Sequence, residues 1–259
     1  MNILESIILG LTQGLTEFLP VSSSGHLILA RKFLGLSLES SLAFDVFLNT
    51  ATLFAVIYCF WGDLRALARD FFTQGFSSRS TNILWAVVLG SIPAGFFGFF
   101  FGDRIEEIFR NPHSVAWALI AGSILMFLAD SIDGKKGGVT PAKGFLVGVF
   151  QSLALIPGIS RSGSSISGGI LAGLSREEAI RFSFLLLIPV SLGAILKILI
   201  DPSFQISNFV TLNSCFAFLA AFLSGIWSVR FLVRYLSSHK FTPFIIYRIV
   251  LAGVILIFT

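Results

Sequence analysis

The sequence predicts an all-α polytopic membrane protein with about six transmembrane helices and two opposed re-entrant helical hairpins, arranged as an inverted-topology repeat. Three observations carry this. Of 259 residues 55% are hydrophobic and 12% charged, with mean hydropathy +0.89, whereas soluble domains carry about 25% charged residues. Six apolar stretches, residues 43–61, 83–101, 114–129, 182–200, 209–229 and 243–259, approach the roughly 20 residues that cross a bilayer. A polar cluster also occurs twice, as QGLTEFLPVSSSGH from Gln13 to His26 and as QSLALIPGISRSGSS from Gln151 to Ser165.

Taken in order, the chain opens with MNILESIILG, where Glu5 comes early and no basic segment or small-residue cleavage site follows. It is therefore not expected to be a removable signal peptide, and the mature chain is expected to begin near Met1. The first polar copy sits between 3–20 and 27–36, apolar pieces too short to span, which suggests re-entrant or interfacial helices. Pro20 breaks the helix and Gly25 permits the turn. Three spans follow. The second copy lies about 138 residues on, flanked by the short pieces 145–157 and 166–174, with Pro157, Gly158 and Gly163 in the breaking and turning positions. Three more spans complete it. An odd number of crossings inverts the second half, about 142–259, relative to the first, about 1–131, which places a site near the midplane where the halves meet. The whole chain is read as one membrane domain, 1–259. Irregular backbone at that depth must be buried by protein or line a wet cavity, so the two turns should face each other.

The net charge of +4 and pI near 9.3 do not indicate nucleic acid, because Lys and Arg are spread over loops and form no basic face. They serve topology instead. Loops 62–80, 130–143 and 230–242, with Arg176 and Arg181, hold 11 basic residues, against 5 on the other side at Arg31, Lys32, Arg104, Arg110 and Lys197. The positive-inside rule makes the richer side cytoplasmic and puts both termini outside. Cys59 and Cys215 fall in apolar spans, where Cys behaves as a small hydrophobe, so no disulfide or metal framework is expected.

Polar groups kept inside an apolar protein are functional by default. Arg161, permanently charged in a Ser-flanked turn, needs an anionic partner. That partner is a bound phosphate, gripped by its fork of donors, or a structural carboxylate at Glu17 or Asp45. Ser160, Ser162, Ser164 and Ser165 add hydroxyls around it, and the helix restarting after each turn offers free N–H groups suited to an anion. Glu17, four residues after Gln13, shares a helical face with it. It suits a hard divalent cation, a general base or an ion pair with Arg161. His26, just past the serine turn, suits proton transfer or attack on phosphorus. Asp45, Asn49, Gln151 and Arg248 read as supporting groups behind the pocket or as interhelix locks. His113 and His239 carry no signal.

QGLTEFLPVSSSGH together with LIPGISRSG resembles the paired signature of undecaprenyl-diphosphate phosphatases, the integral-membrane type linked to bacitracin resistance. The likeness covers essentially the whole chain, including the closing FTPFIIYR. It implies hydrolysis of undecaprenyl diphosphate to undecaprenyl phosphate and inorganic phosphate in the bacterial cytoplasmic (inner) membrane, recycling the carrier lipid for peptidoglycan and cell-envelope synthesis. The family's Glu-or-Gln-x-x-x-Glu motif falls on Gln13 and Glu17, its serine turn on Ser22, Ser23 and Ser24, its His on His26 and its PGxSRS motif on Pro157 to Ser162. By this resemblance Glu17 is the metal-linked or proton-handling carboxylate, Ser23 and His26 belong to the reaction centre, and Ser160 and Arg161 grip the diphosphate, with Ser22, Ser24, Ser162, Gly163 and Ser165 as further substrate-binding residues. The expected cofactor is a divalent cation, Mg²⁺ or Ca²⁺. Many members carry Glu where Gln13 stands, so Glu17 is expected to ligate with the diphosphate oxygens and Gln13 to be at most a weak donor. Serine, His26 and an activated water all stay open as nucleophile, and a homodimer stays open as the assembly.

The principal rival is a secondary transporter or flippase of a phosphate-bearing lipid on the same scaffold, and the same inverted scaffold could serve both activities. The pairing of Glu17 and His26 with Arg161 favours hydrolysis, since an anion carrier needs no proton-transfer pair. A lipid phosphatase of the PSGH type is disfavoured, because Ser167 stands where its downstream His belongs.

Overall fold

The computed structural model describes residues 1–37, 42–74, 79–109, 111–132, 137–201 and 211–258. Among them all regular structure is helical. The helices are α1 (Ile3–Phe18), α2 (Ser23–Phe33), α3 (Leu42–Cys59), α4 (Trp61–Gln74), α5 (Arg79–Phe109), α6 (Pro112–Asp130), α7 (Pro141–Ser152), α8 (Arg161–Leu171), α9 (Arg176–Leu199), α10 (Leu212–Leu236) and α11 (Thr242–Phe258), with a 3-10 turn at Leu153–Leu155 after α7. Residues 209–210 and Thr259 of the expected spans, and Arg110, Lys135 and Lys136 of the charge count, lie outside the described residues.

Among the described residues four helices are long and apolar enough to cross a membrane, namely α5, α6, α9 and α10. The count rises to five if α3 and α4, bent by 68° at their junction, form one broken span. This corrects the expectation of six, because α11 has 17 residues and falls short of that length. Large apolar side chains are exposed along the helices, among them Phe99, Phe100, Trp117, Leu223, Trp227 and Val250. Such a surface suits lipid rather than water, and the chain is a multi-pass membrane protein.

Each polar copy folds as helix, turn, helix. The first starts at a capping box, where Asn2 accepts from the Glu5 N–H at 2.9 Å and Glu5 accepts from the Asn2 N–H at 2.8 Å. Glu5 is thus committed to capping α1. In both copies the second helix is capped by a serine with positive φ, Ser22 at 74° and Ser160 at 77°. Each Oγ accepts the N–H of the glycine three residues on, Gly25 at 3.4 Å and Gly163 at 3.2 Å. Each capping serine follows its glutamine by 9 positions, so the one-residue slip between the copies is confined to the proline. The second copy absorbs it with the 3-10 turn and an extra turn residue, Gly158, at φ 108°.

Close packing holds these elements. A Cβ on Gly10 or Gly14 of α1 would collide with the Ala217 or Ala221 carbonyl oxygen of α10. A Cβ on Gly144 or Gly148 of α7 would likewise collide with the Ala86 or Gly90 carbonyl oxygen of α5. Small residues at four-residue spacing let backbones touch, the usual means of joining helices inside a membrane. The opening helix of each copy therefore packs on a long helix from the other half of the chain, while α3 meets α9 and α6 meets α11.

One end of the bundle gathers the basic group used for topology. Arg176 pairs with Asp130 at 2.7 Å, and Asp130 accepts the Phe241 N–H at 2.6 Å. Arg181 lies 3.3 Å from Asp63 of α4, and Lys143 donates to the Gly137 carbonyl at 2.6 Å.

Candidate active site

The two turns converge on a cavity of about 210 Å³. Glu17, Ser22, Ser23 and Ser24 come from the first copy, Ala154, Ser160 and Arg161 from the second, Val46 and Asn49 from α3, and Leu187, Val190, Ser191 and Ala194 from α9. Its polar groups come from the turns, and most of its apolar groups from the two long helices.

Glu17 is the hub. Its Oε1 accepts from Arg161 Nη2 at 2.8 Å, and its Oε2 accepts from Ser23 Oγ at 2.5 Å and from Gln13 Nε2 at 3.1 Å. The same Gln13 nitrogen donates to Asn49 Oδ1 at 2.6 Å. The ion pair joins residues 144 positions apart and ties the two copies together. The Glu17 and Arg161 side chains are only 12% and 15% exposed, so the charges compensate each other in a poorly solvated place. Arg161 Nη1 is buried and has no hydrogen-bond partner among the described residues. The guanidinium thus has donor capacity left for an anion entering the cavity. Helix geometry adds to it, because the first N–H groups of α2 and α8 have no acceptor within their own helices.

The remaining expected residues divide. Ser160 lines the cavity, whereas Ser162 contacts Ser160 at 3.2 Å between hydroxyls, Ser164 donates to the Arg161 carbonyl at 3.1 Å and Ser165 to the same carbonyl at 2.7 Å. Ser165 also meets Ser183 of α9 at 2.6 Å, so these serines and Gly163 serve α8 and its packing. His26 does not line the cavity. Its Nδ1 donates to the Ser22 carbonyl at 2.7 Å, which in a neutral ring leaves Nε2 to accept from the Tyr247 hydroxyl at 2.7 Å. Asp45 pairs with Arg31 at 2.6 Å instead of meeting the cavity. Arg248 is wholly buried against backbone carbonyls, and the Gln151 amide is buried with neither atom partnered among the described residues.

Sequence reasoning missed Ser191 and the apolar wall of Val46, Leu187, Val190 and Ala194. The one available signal was Ser191 itself, a hydroxyl two positions after Pro189 in a largely apolar span. The apolar residues looked like any other membrane-helix positions. Tyr247 was legible only as part of FTPFIIYR.

Fold and cavity together define a class: a helical membrane protein that buries a hydroxyl-lined, ion-paired site where two copies of one turn motif meet. The family follows from comparison with known proteins. The family described as Bacitracin resistance protein BacA matches residues 6–254, and the chain belongs to it. An undecaprenyl-diphosphatase of Elusimicrobium minutum (strain Pei191) is 40% identical over 262 residues, covering 100% of this chain and 98% of that protein. Proteins of the same name from Moorella thermoacetica (strain ATCC 39073 / JCM 9320) and Sulfurihydrogenibium sp. (strain YO3AOP1) are 38% and 36% identical, covering 98% and 97% of this chain and 97% of each relative.

Proposed function

We propose that the protein hydrolyses undecaprenyl diphosphate to undecaprenyl phosphate and inorganic phosphate, recycling the lipid carrier of cell-envelope synthesis. The full-length relatives carry that name, and the Ser23–Glu17–Arg161 chain of contacts supplies the chemistry. The diphosphate occupies the cavity between the turns, its terminal phosphate taking the free Arg161 Nη1 and the N–H groups at the starts of α2 and α8. Charge developing on the phosphate oxygens then meets donors already in place, the usual large term in phosphoryl transfer. The prenyl tail leaves past Val46, Val190 and Ala194, between α3 and α9.

Ser23 Oγ is the attacking atom. Its proton passes to Glu17 Oε2 as the oxygen bonds the terminal phosphorus, and the P–O bond to the bridging oxygen breaks to release undecaprenyl phosphate. Water then cleaves the serine phosphate, releasing inorganic phosphate and restoring the Ser23 hydroxyl and the Glu17 carboxylate. His26 acts one step back, its Nδ1–H holding the Ser22 carbonyl that precedes the nucleophile.

A divalent cation, Mg²⁺ or Ca²⁺, fits these donors only in part. Among the described residues no three His, Cys, Asp or Glu side chains cluster, and Glu17 is the one carboxylate lining the cavity. That suits a cation shared between Glu17 and the diphosphate oxygens, since magnesium commonly uses one or two carboxylates plus substrate phosphates. When bound it would neutralise phosphate charge.

The matched turns and the exchange of partners, α1 on α10 and α7 on α5, support reading α1–α2 and α7–α8 as opposed re-entrant hairpins of an inverted repeat. The basic end of the bundle supports a cytoplasmic face there, with both termini on the outer side of the bacterial cytoplasmic membrane. Transport alone explains less, since a carrier has no use for a serine hydroxyl held on a carboxylate.

Rapid quenching with substrate labelled at the terminal phosphorus tests the reading. Label is expected on Ser23 of wild-type protein and lost in Ser23→Ala. Steady phosphate release with label on no residue would replace serine attack by direct attack of water, and no release by folded protein would remove the hydrolase reading.

A further inference from the structure

Arg248 is the largest fully buried side chain, at 0% exposure, on α11. Among the described residues it makes no ion pair. Its guanidinium is instead filled with carbonyls from three elements. Nη1 donates to the Pro20 carbonyl at 3.1 Å, and Nη2 to the Gly158, Ile159 and Leu119 carbonyls, each at 3.0 Å. Nε donates to Ser123 Oγ at 3.1 Å. Pro20 lies two residues before the capping Ser22, and Gly158 and Ile159 lie just before the capping Ser160. One side chain therefore holds the approach to both turns and ties both to α6.

Ser22 and Ser160 both have positive φ, 74° and 77°, a conformation that costs a non-glycine residue of order 1–3 kcal/mol and lasts only where the surroundings enforce it. Arg248 provides enforcement at both places at once. The floor is shaped for it: a Cβ on Gly122 of α6 would collide with Arg248 Nη2 and lie 2.6 Å from the Ile159 carbonyl oxygen.

We infer that Arg248 is a positioning residue for the reaction, setting the spacing between the turns so that Ser23 and Arg161 reach one phosphate. The inference rests on the site proposed above. Lys at 248 keeps the charge but has no planar fork, and a compact ammonium reaches the carbonyls of one turn without the other. A misplacement of about 1 Å costs about 100-fold in rate.

The test uses purified full-length protein and undecaprenyl diphosphate, with kcat expressed per folded molecule. Arg248→Lys is expected to lower kcat by about 100-fold while KM moves less than about threefold. Gly122→Ala leaves the arginine in place but pushes on its guanidinium and on the Ile159 carbonyl it holds, and its kcat is expected to fall by about tenfold in the same pattern. Added to Arg161→Ala, Arg248→Lys is expected to cost little more, because the spacing it protects then has no phosphate grip to serve. A kcat within twofold of wild type in both single variants, or fully additive losses in the double variant, would overturn the positioning role. Should Arg248→Lys not fold, Gly122→Ala alone decides. Full activity in Arg161→Ala would instead sink the site reading and leave Arg248 as a lock between helices.

Discussion

Ser23 and Arg161 occupy the same position in two copies of one backbone motif, each the first residue after a capping serine of nearly identical φ, yet they carry unrelated chemistry. The first copy supplies a hydroxyl and, six residues before it, the Glu17 carboxylate. The second supplies a guanidinium, and Leu155 stands where a carboxylate would correspond. The glutamines diverge too. Gln13 is spent on Glu17 and Asn49, whereas Gln151 has no partner among the described residues and Leu187 stands at the position matching Asn49. The lesson is a division of labour. Paired turns fix where groups sit, and side-chain differences between the copies turn a symmetric frame into an asymmetric site with a hydroxyl and a carboxylate on one side and a guanidinium on the other.

The comparison breaks most severely at Ser23, the proposed nucleophile. Ser23→Ala is expected to lower kcat by about 10³-fold or more, whereas Ser24→Ala, which lines the same cavity without touching Glu17, should cost less than about tenfold. Phosphate release per folded molecule measures both. Next come the packing glycines, which the two copies use alike. Gly14→Leu and Gly148→Leu each force a side chain into a facing backbone, and each should lose about 3 kcal/mol, read as thermal unfolding in detergent. A loss confined to one copy would mean that the two helices are not held in the same way.

The glutamines sharpen the contrast. Gln13→Leu removes the donor to a buried amide oxygen and to the carboxylate, with an expected cost of about 1–3 kcal/mol. Gln151→Leu removes an amide that has no partner to lose and should be neutral or stabilising by up to about 1 kcal/mol. Equal losses at both positions would contradict the asymmetry. The smallest effects belong to the caps. Ser22→Gly and Ser160→Gly each give up a cap hydrogen bond but relieve the positive φ, so each should change stability by less than about 1 kcal/mol, and to the same degree.

Much of this was legible in the residues because membrane burial makes polar side chains conspicuous. Glu17, Ser23, Ser160 and Arg161 stood out against apolar neighbours, and the repeat announced two turns of one kind. The family expectation carried by those motifs is met by the comparisons. Other features were hidden because they depend on three-dimensional packing. Nothing local in IYRIV says that Arg248 would be satisfied by main-chain carbonyls 89 to 228 positions away. Nor does the sequence reveal that Asp45 would be taken by Arg31, or that His26 would turn toward Tyr247 and away from the cavity lining. The span count was overestimated because the stretches 43–61 and 243–259 were counted as spans, whereas α3 passes only together with α4 across a bend of 68° and α11 has 17 residues.

The most direct test of a site shared between the copies is phosphate release from undecaprenyl diphosphate by purified wild type, Glu17→Gln and Arg161→Ala, each checked for folding and assayed with Mg²⁺ and with EDTA. The expected result is metal-dependent release by wild type and a loss of about 10³-fold in each variant, one from each copy. Near wild-type release by either folded variant would contradict a single site built by both.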